Sequence, residues 1–148
     1  MKIIFAVDPG EKNIGIAKSD PLGIGATALK IIPHVQQEKD AQAIADLARE
    51  VGAEEILVGQ PLNEDGSEGP KARHSAKLAE AIGRYFDGRV FLYDEYGSTK
   101  ATRALFKEMG VRRSKRLGHL DANAAATILQ SYLDALSYST PIDPEALP

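Results

Sequence analysis

The apolar residues of this chain change period once, and that change sets the fold class. Lys2–Val7 is a short apolar run that ends in Asp8-Pro9-Gly10, which reads as a buried strand entering a turn. Ile14–Lys18 and Ala26–Ile32 read as two more strands. The stretches between them, Pro9–Asn13 and Ser19–Gly25, are short enough for an antiparallel meander. From Asp40 onward the spacing turns helical. Ala41, Ile44, Ala45, Ala48 and Val51 form one stripe, with Asp40 as the expected N-cap and Gly52 as the expected stop.

Glu55–Gly59 is apolar at successive positions, which predicts a strand buried on both faces, as in a parallel sheet interior. The polar loop Gln60–Pro70 follows, long enough to suggest a functional or mobile segment. A second helix is predicted with Leu78, Ala79, Ile82, Tyr85 and Phe86 on its apolar face, then a fifth strand at Arg89–Tyr93. A third helix is expected from about Thr99 to Met109, with Ser98 as N-cap and Gly110 just past its end. The last helix spans roughly Leu120–Leu136. The expected architecture is α/β: a five-stranded mixed sheet, three antiparallel strands and then βα units, flanked by helices. One domain covers residues 1–136, and the proline-bearing residues 137–148 read as a flexible tail.

Composition narrows the function classes. With 43% apolar and 26% charged residues, the 148-residue chain is ordinary for a globular domain. It has no run long enough for a transmembrane helix, so no membrane partner is expected. It has no cysteine, which excludes disulfides and zinc–thiolate sites; the default expectation is cytoplasmic. A net charge of −3 argues against nucleic-acid binding driven by global charge. Charge is nonetheless local: Arg112, Arg113, Lys115 and Arg116 fall within five residues, either a solvated surface run or a nucleic-acid contact.

Three acids stand at the ends of predicted elements. Asp8 sits where the first strand runs into its Pro-Gly turn, Glu95 stands at the end of the fifth, and Asp121 begins the last helix. In open α/β sheets sites collect beyond the carboxyl ends of strands. Hard divalent cations take carboxylate oxygens together with water and substrate phosphate, and a paired-ion site hydrolyses phosphodiesters. The local alternatives stay open on residues alone. Asp before Pro-Gly is a common turn residue, Asp121 fits a helix N-cap, and Asp94-Glu95 fits a strand end at the surface.

Several segments together carry a resemblance. They are Val7-Asp8-Pro9-Gly10-Glu11-Lys12-Asn13-Ile14-Gly15-Ile16-Ala17, Ser19-Asp20-Pro21-Leu22-Gly23, the run from Val58-Gly59-Gln60-Pro61-Leu62-Asn63 through Gly66-Ser67-Glu68-Gly69-Pro70, Tyr93-Asp94-Glu95, and Asp121 with the helix after it. In this order they resemble the YqgF/RuvX family, RNase H-fold proteins described as pre-16S rRNA nucleases and earlier as Holliday-junction resolvase-like. The resemblance implies an RNase H-like fold, with Asp8, Glu95 and Asp121 as catalytic acids that bind Mg²⁺ or Mn²⁺. It also implies maturation of the 5′ end of small-subunit rRNA in the bacterial cytoplasm. The chain departs from the family where Tyr96-Gly97-Ser98-Thr99 replaces Arg-Leu-Thr-Thr, which removes a bidentate phosphate ligand. Gln60 replaces a usual Leu, altering packing or adding a polar contact beside the site.

The expected substrate contacts are Gly10, Lys12, Asn63, Ser98, Thr99, Arg112, Arg113, Lys115 and Arg116, with pre-rRNA or branched DNA as partner and a monomer or homodimer as the assembly. The Gly59–Pro70 loop has two readings, a phosphate cradle at a helix N-terminus or a turn in which Asn63 bonds its own backbone. His119 and Tyr96 are secondary candidates for proton transfer and base stacking, while His34 and His74 carry no signal. Two other activities compete with a pre-rRNA nuclease: a Holliday-junction or branched-DNA resolvase, and a non-catalytic nucleic-acid-binding module. A phosphotransferase of the actin/sugar-kinase type also opens with a strand and an Asp-x-Gly hairpin, but it needs two such domains.

Overall fold

The computed structural model describes residues 2–94 and 122–139. Its elements are β1 (Ile4–Pro9), β2 (Asn13–Ser19), β3 (Ala26–Pro33), α1 (Gln37–Glu50), β4 (Glu55–Gly59), α2 (Pro70–Gly83), β5 (Arg89–Tyr93) and α3 (Ala122–Ser139). The strands form one sheet in the order β3-β2-β1-β4-β5. β1, β2 and β3 are antiparallel neighbours, while β4 runs parallel to β1 and β5 parallel to β4. This is the mixed sheet expected from the change of period. The helix expected over residues 99–109 lies outside the described residues.

Strand alternation divides the core between two helical layers. Phe5, Val7, Ile14, Ile16, Ile56 and Val58 turn to one face and pack under α1 and α2. Ile4, Ala6, Ala17 and Leu57 turn to the other, under Ala125, Ile128, Leu129 and Leu133 of α3. β1 and β4 are therefore apolar at nearly every position because both faces are covered.

Helix ends depart from the sequence expectation in three places. Asp40 is not the N-cap of α1: the helix starts at Gln37, and Asp40 lies buried inside its first turn. It still acts as a cap from within, because Oδ1 accepts the Val35 N–H at 3.0 Å and Oδ2 pairs with His34 Nδ1. The helical spacing begins where its apolar stripe begins, but the helix can start one turn earlier on polar residues. At the far end Gly52 does what was expected, with φ +75°. Its N–H reaches Arg49 O and the Ala53 N–H reaches Ala48 O, a Schellman closure. The second departure is α2, which stops at Gly83. Tyr85 and Phe86 therefore follow the helix, and the Phe86 N–H still bonds Ile82 O at 3.0 Å. Third, α3 continues through Ser139, three residues past the predicted end.

Candidate active site

β1 does not end at Val7 as its apolar run suggests. It continues through Asp8 and Pro9, with Asp8 paired to Gly15 of β2 and Pro9 to Ile14. Asp8 is thus a strand residue, fixed by ladder pairing rather than carried on a turn. Alternation places it after Ile4 and Ala6 on the face covered by α3, and it is only 8% exposed.

The residues abreast of Asp8 on both neighbouring strands are glycines. Gly15 is its partner on β2, and on β4 Gly59 comes one position past the Val7–Val58 pair. A Cβ on Gly59 would stand 3.0 Å from Ile128 Cδ1 and 3.9 Å from Asp8 Oδ1. Ile128 of α3 closes over Gly59, so the missing side chain there lets the helix pack close to the carboxylate. Sequence reasoning did not single out Gly15 or Gly59. Their signal is positional: a glycine in an apolar strand interior marks a close approach.

Gly10 and Lys12, two of the expected substrate contacts, lie in the turn that follows. The Gly10 N–H bonds Asn13 O at 2.9 Å, and Lys12 O accepts the His34 N–H at 2.8 Å, tying the turn to the end of β3. His34 in turn meets His74 of α2 edge to face, with ring centroids 5.9 Å apart. Facing the turn is a cleft of about 390 Å³ lined by Glu11, Pro61, Asn63, Gly69, Pro70 and Lys71. Lys71 brings a positive charge to it that sequence reasoning missed.

Asn63 lines this cleft and also holds its own loop. Its N–H bonds Ser67 O at 2.9 Å and Nδ2 bonds Ser67 Oγ at 3.0 Å, while Gly66, at φ +87°, returns an N–H to Asn63 O. The Asn63 side chain thus bonds the Ser67 hydroxyl and not its own backbone, and the side-chain-to-backbone bond of this turn is made by Asp65, whose Oδ1 accepts the Ser67 N–H at 2.8 Å. Gln60 resolves toward polar contact rather than packing. Its N–H bonds Tyr93 O at 2.8 Å, and Nε2 donates to Ala72 O at 3.2 Å and Glu68 Oε1 at 3.1 Å. Together these bonds lash the loop and α2 to the end of β5, where Asp94 is buried.

Glu95 follows Asp94 in sequence and Asp121 directly precedes Ala122 of α3, but both acids lie outside the described residues. So do Tyr96, Ser98, Thr99, Arg112, Arg113, Lys115, Arg116 and His119. Among the described residues no three His, Asp or Glu side chains form a group able to hold a metal ion. The fit of a divalent cation is thus tested at Asp8 alone. A nearly buried carboxylate, held on a central strand, is an oxygen donor of the kind a hard cation takes as one of its ligands.

A family model described as RuvX, Holliday junction resolvase, matches residues 2–135. Among curated proteins, a relative in Clostridium perfringens (strain SM101 / Type A) named pre-16S rRNA nuclease is 38% identical over 134 residues, 90% of this chain and 98% of its own. A relative of the same name in Symbiobacterium thermophilum is 38% identical over 138 residues, covering 93% and 96%. Among solved structures, Thermus thermophilus RuvC in complex with a Holliday junction substrate aligns over 93% of this chain and 96% of its own, at 17% identity and a TM-score of 0.54. The fowlpox virus Holliday junction resolvase aligns over 90% and 99%, at 18% identity and a TM-score of 0.50. At these identities the structural likeness is one of fold, the RNase H-like fold of the resolvases.

Proposed function

We infer what this chain does from one premise: it belongs to the RuvX Holliday junction resolvase family. It is a nuclease, hydrolysing phosphodiester bonds of nucleic acid. The reading extends to a divalent-metal-dependent enzyme that processes the 5′ end of pre-16S rRNA in the bacterial cytoplasm. The observation that carries the chemistry is Asp8, a nearly buried carboxylate on the central strand with a glycine on either side. The substrate follows the name borne by relatives 38% identical over nine-tenths of the chain.

Asp8, Glu95 and Asp121 are the residues that would hold Mg²⁺ or Mn²⁺. When bound, such an ion supplies Lewis acidity to the scissile phosphate and lowers the pKa of the attacking water. The chain's own residues do the rest. Ladder pairing fixes the Asp8 backbone, so the strand that carries the carboxylate need not move when substrate arrives. Gly10 and Lys12 at the turn, and Lys71 across the cleft, face the backbone phosphates that flank the cut. Gln60 holds the cleft loop to β5 and keeps the edge in register. Ser98, Thr99 and the basic run Arg112, Arg113, Lys115 and Arg116 complete the proposed grip.

The test is a side-by-side cleavage assay with a 5′-extended 16S rRNA precursor, a four-way DNA junction and single-stranded DNA. Cleavage of the precursor in Mg²⁺ or Mn²⁺ is expected, with none in EDTA. Asp8→Asn should lose more than about 100-fold, beyond the usual loss for a residue that only supports a ligand. Full activity in EDTA, or an unaffected Asp8→Asn protein, overturns the metal chemistry. Cutting of the junction with the precursor left intact reassigns the substrate to branched DNA.

A further inference from the structure

Away from the Asp8 site, the sheet ends in an edge built unlike a blunted one. Among the described residues β3 pairs with β2 alone, so its outer backbone groups face outward. The register gives this edge two distinct faces. Ile16 opposite Lys30 and Lys18 opposite Thr27 put both lysines on the α1/α2 face, and neither has an ion-pair partner among the described residues. On the α3 face Ile31, opposite Gly15, is 42% exposed, and Leu29 stands out at the bulge between the paired residues Ala28 and Lys30.

The turn leading into β3 continues the apolar surface. Leu22 and Ile24 are 66% and 69% exposed, yet the turn that carries them is firmly held. The Asp20 carboxylate accepts the Ile24 and Gly25 N–H groups at 3.2 and 2.7 Å. From α3, Gln130 donates to Ile24 O at 2.9 Å and accepts the Ala26 N–H at 3.0 Å. A surface ordered during folding carries no further ordering cost on binding.

We propose that the β3 edge docks an extended segment of a partner protein in which acidic and apolar residues alternate, added as a further strand. Strand alternation would set acidic side chains beside Lys30 on one face of the added strand and apolar ones beside Ile31 on the other, with Lys18 adding positive charge from β2, one strand further in. Lysine, proline and bulges on an edge ordinarily repel other strands, and Lys30, Pro33 and the bulge act so here against a second copy. Antiparallel β3 edges paired about their middle would bring Lys30 of the two copies together, a repulsive cross-strand arrangement. Protection alone does not account for Leu29 and Ile31 turned outward beside an apolar, rigid turn.

The test uses the full chain with a blocked peptide of alternating Glu and Val, about eight residues long to match β3. A Lys-Val peptide of equal length is the control. Affinity is read by titration, and the docking place by amide exchange resolved by NMR. The Glu-Val peptide should bind and slow exchange of β3 amides, with the Lys-Val peptide about fivefold weaker or worse. Lys30→Glu should reverse that order, and Lys30→Gln, which only removes the charge, should narrow the gap. Absence of Glu-Val binding, or binding that leaves the β3 amides unchanged, overturns the proposal. Protection of β3 that grows with protein concentration in the absence of peptide overturns it in favour of a second copy.

Discussion

Gly59 shows how closely one residue is fitted to the site. A methyl group there would meet Ile128 Cδ1 at 3.0 Å, tighter than ordinary contact, and would stand 3.9 Å from Asp8 Oδ1. Gly59→Ala should therefore push α3 away from the sheet and destabilise the fold by about 1–3 kcal/mol, the usual cost of overpacking. The contact belongs to the end of a side chain, so shortening that side chain gives the methyl room. Ile128→Val in the Gly59→Ala background should return part of the loss, read as a non-additive cycle in urea unfolding. Additive losses from the two changes would mean that the 59–128 contact is not what fixes glycine here. Gly52 makes a useful contrast. Nothing lies within 4 Å of its Cβ position, and its constraint is the φ of +75° that closes α1.

At the scale of elements, α1 and α2 are joined by a polar clamp at the end of α2. Glu38 of α1 accepts the Tyr85 O–H at 2.5 Å and pairs with Arg84. The Tyr85 hydrogen bond, then Arg84, hold the Glu38 carboxyl below its ordinary range, and Glu38 in turn pushes the Tyr85 phenol up. A lowered carboxyl stabilises the fold above its unfolded pKa, and that contribution is lost as pH falls through the folded value. A raised phenol stabilises the fold below its unfolded pKa, and that contribution is lost as pH rises through the folded value. Glu38→Gln should therefore flatten melting temperature against pH at both ends, below about pH 4 and above about pH 10. Unchanged acid and alkaline limbs would show that the clamp does not couple the helices. None of this clamp was legible in the sequence, because Glu38, Arg84 and Tyr85 come together only when two helices pack. What was legible is what periodicity encodes: the five strands, the α1 stripe and the Gly52 stop. The β1 end was misjudged because hydrophobicity marks burial, whereas a strand continues as long as its ladder does. Asp8 is a buried polar residue after an apolar run, so its place on β1 is visible only in the pairing with Gly15. Of the candidate site, the sequence marked Asp8 and the turn after it. It did not mark Gly15 and Gly59, which matter through position, or Lys71, whose charge reaches the cleft only through the fold.

At the scale of the whole molecule, charge sets how such a protein can grip a polyanion. With 18 basic and 21 acidic residues the chain carries a net charge of −3, so its overall field repels nucleic acid. Binding must then rest on a few local contacts, and the salt dependence of affinity counts them. The basic run at Arg112, Arg113, Lys115 and Arg116 is the densest local source of positive charge in the sequence. If Arg112 and Arg113 each contact a phosphate of single-stranded RNA, replacing both with Ala should reduce the slope of log affinity against log salt by about 1.4, at about 0.7 per contact. The measurement is binding of the precursor RNA by the Asp8→Asn protein over a range of salt, where cleavage does not interfere. Loss of affinity with an unchanged slope would mean that the arginines act by shaping the protein. An unchanged affinity and slope would make the run a solvated surface. The grip would then fall to Lys12, Lys71 and the loop around the cleft, and the same slope measured on Lys71→Ala would have to carry the difference. Either outcome separates the hold on substrate from the chemistry at Asp8, since neither arginine is needed to bind the metal.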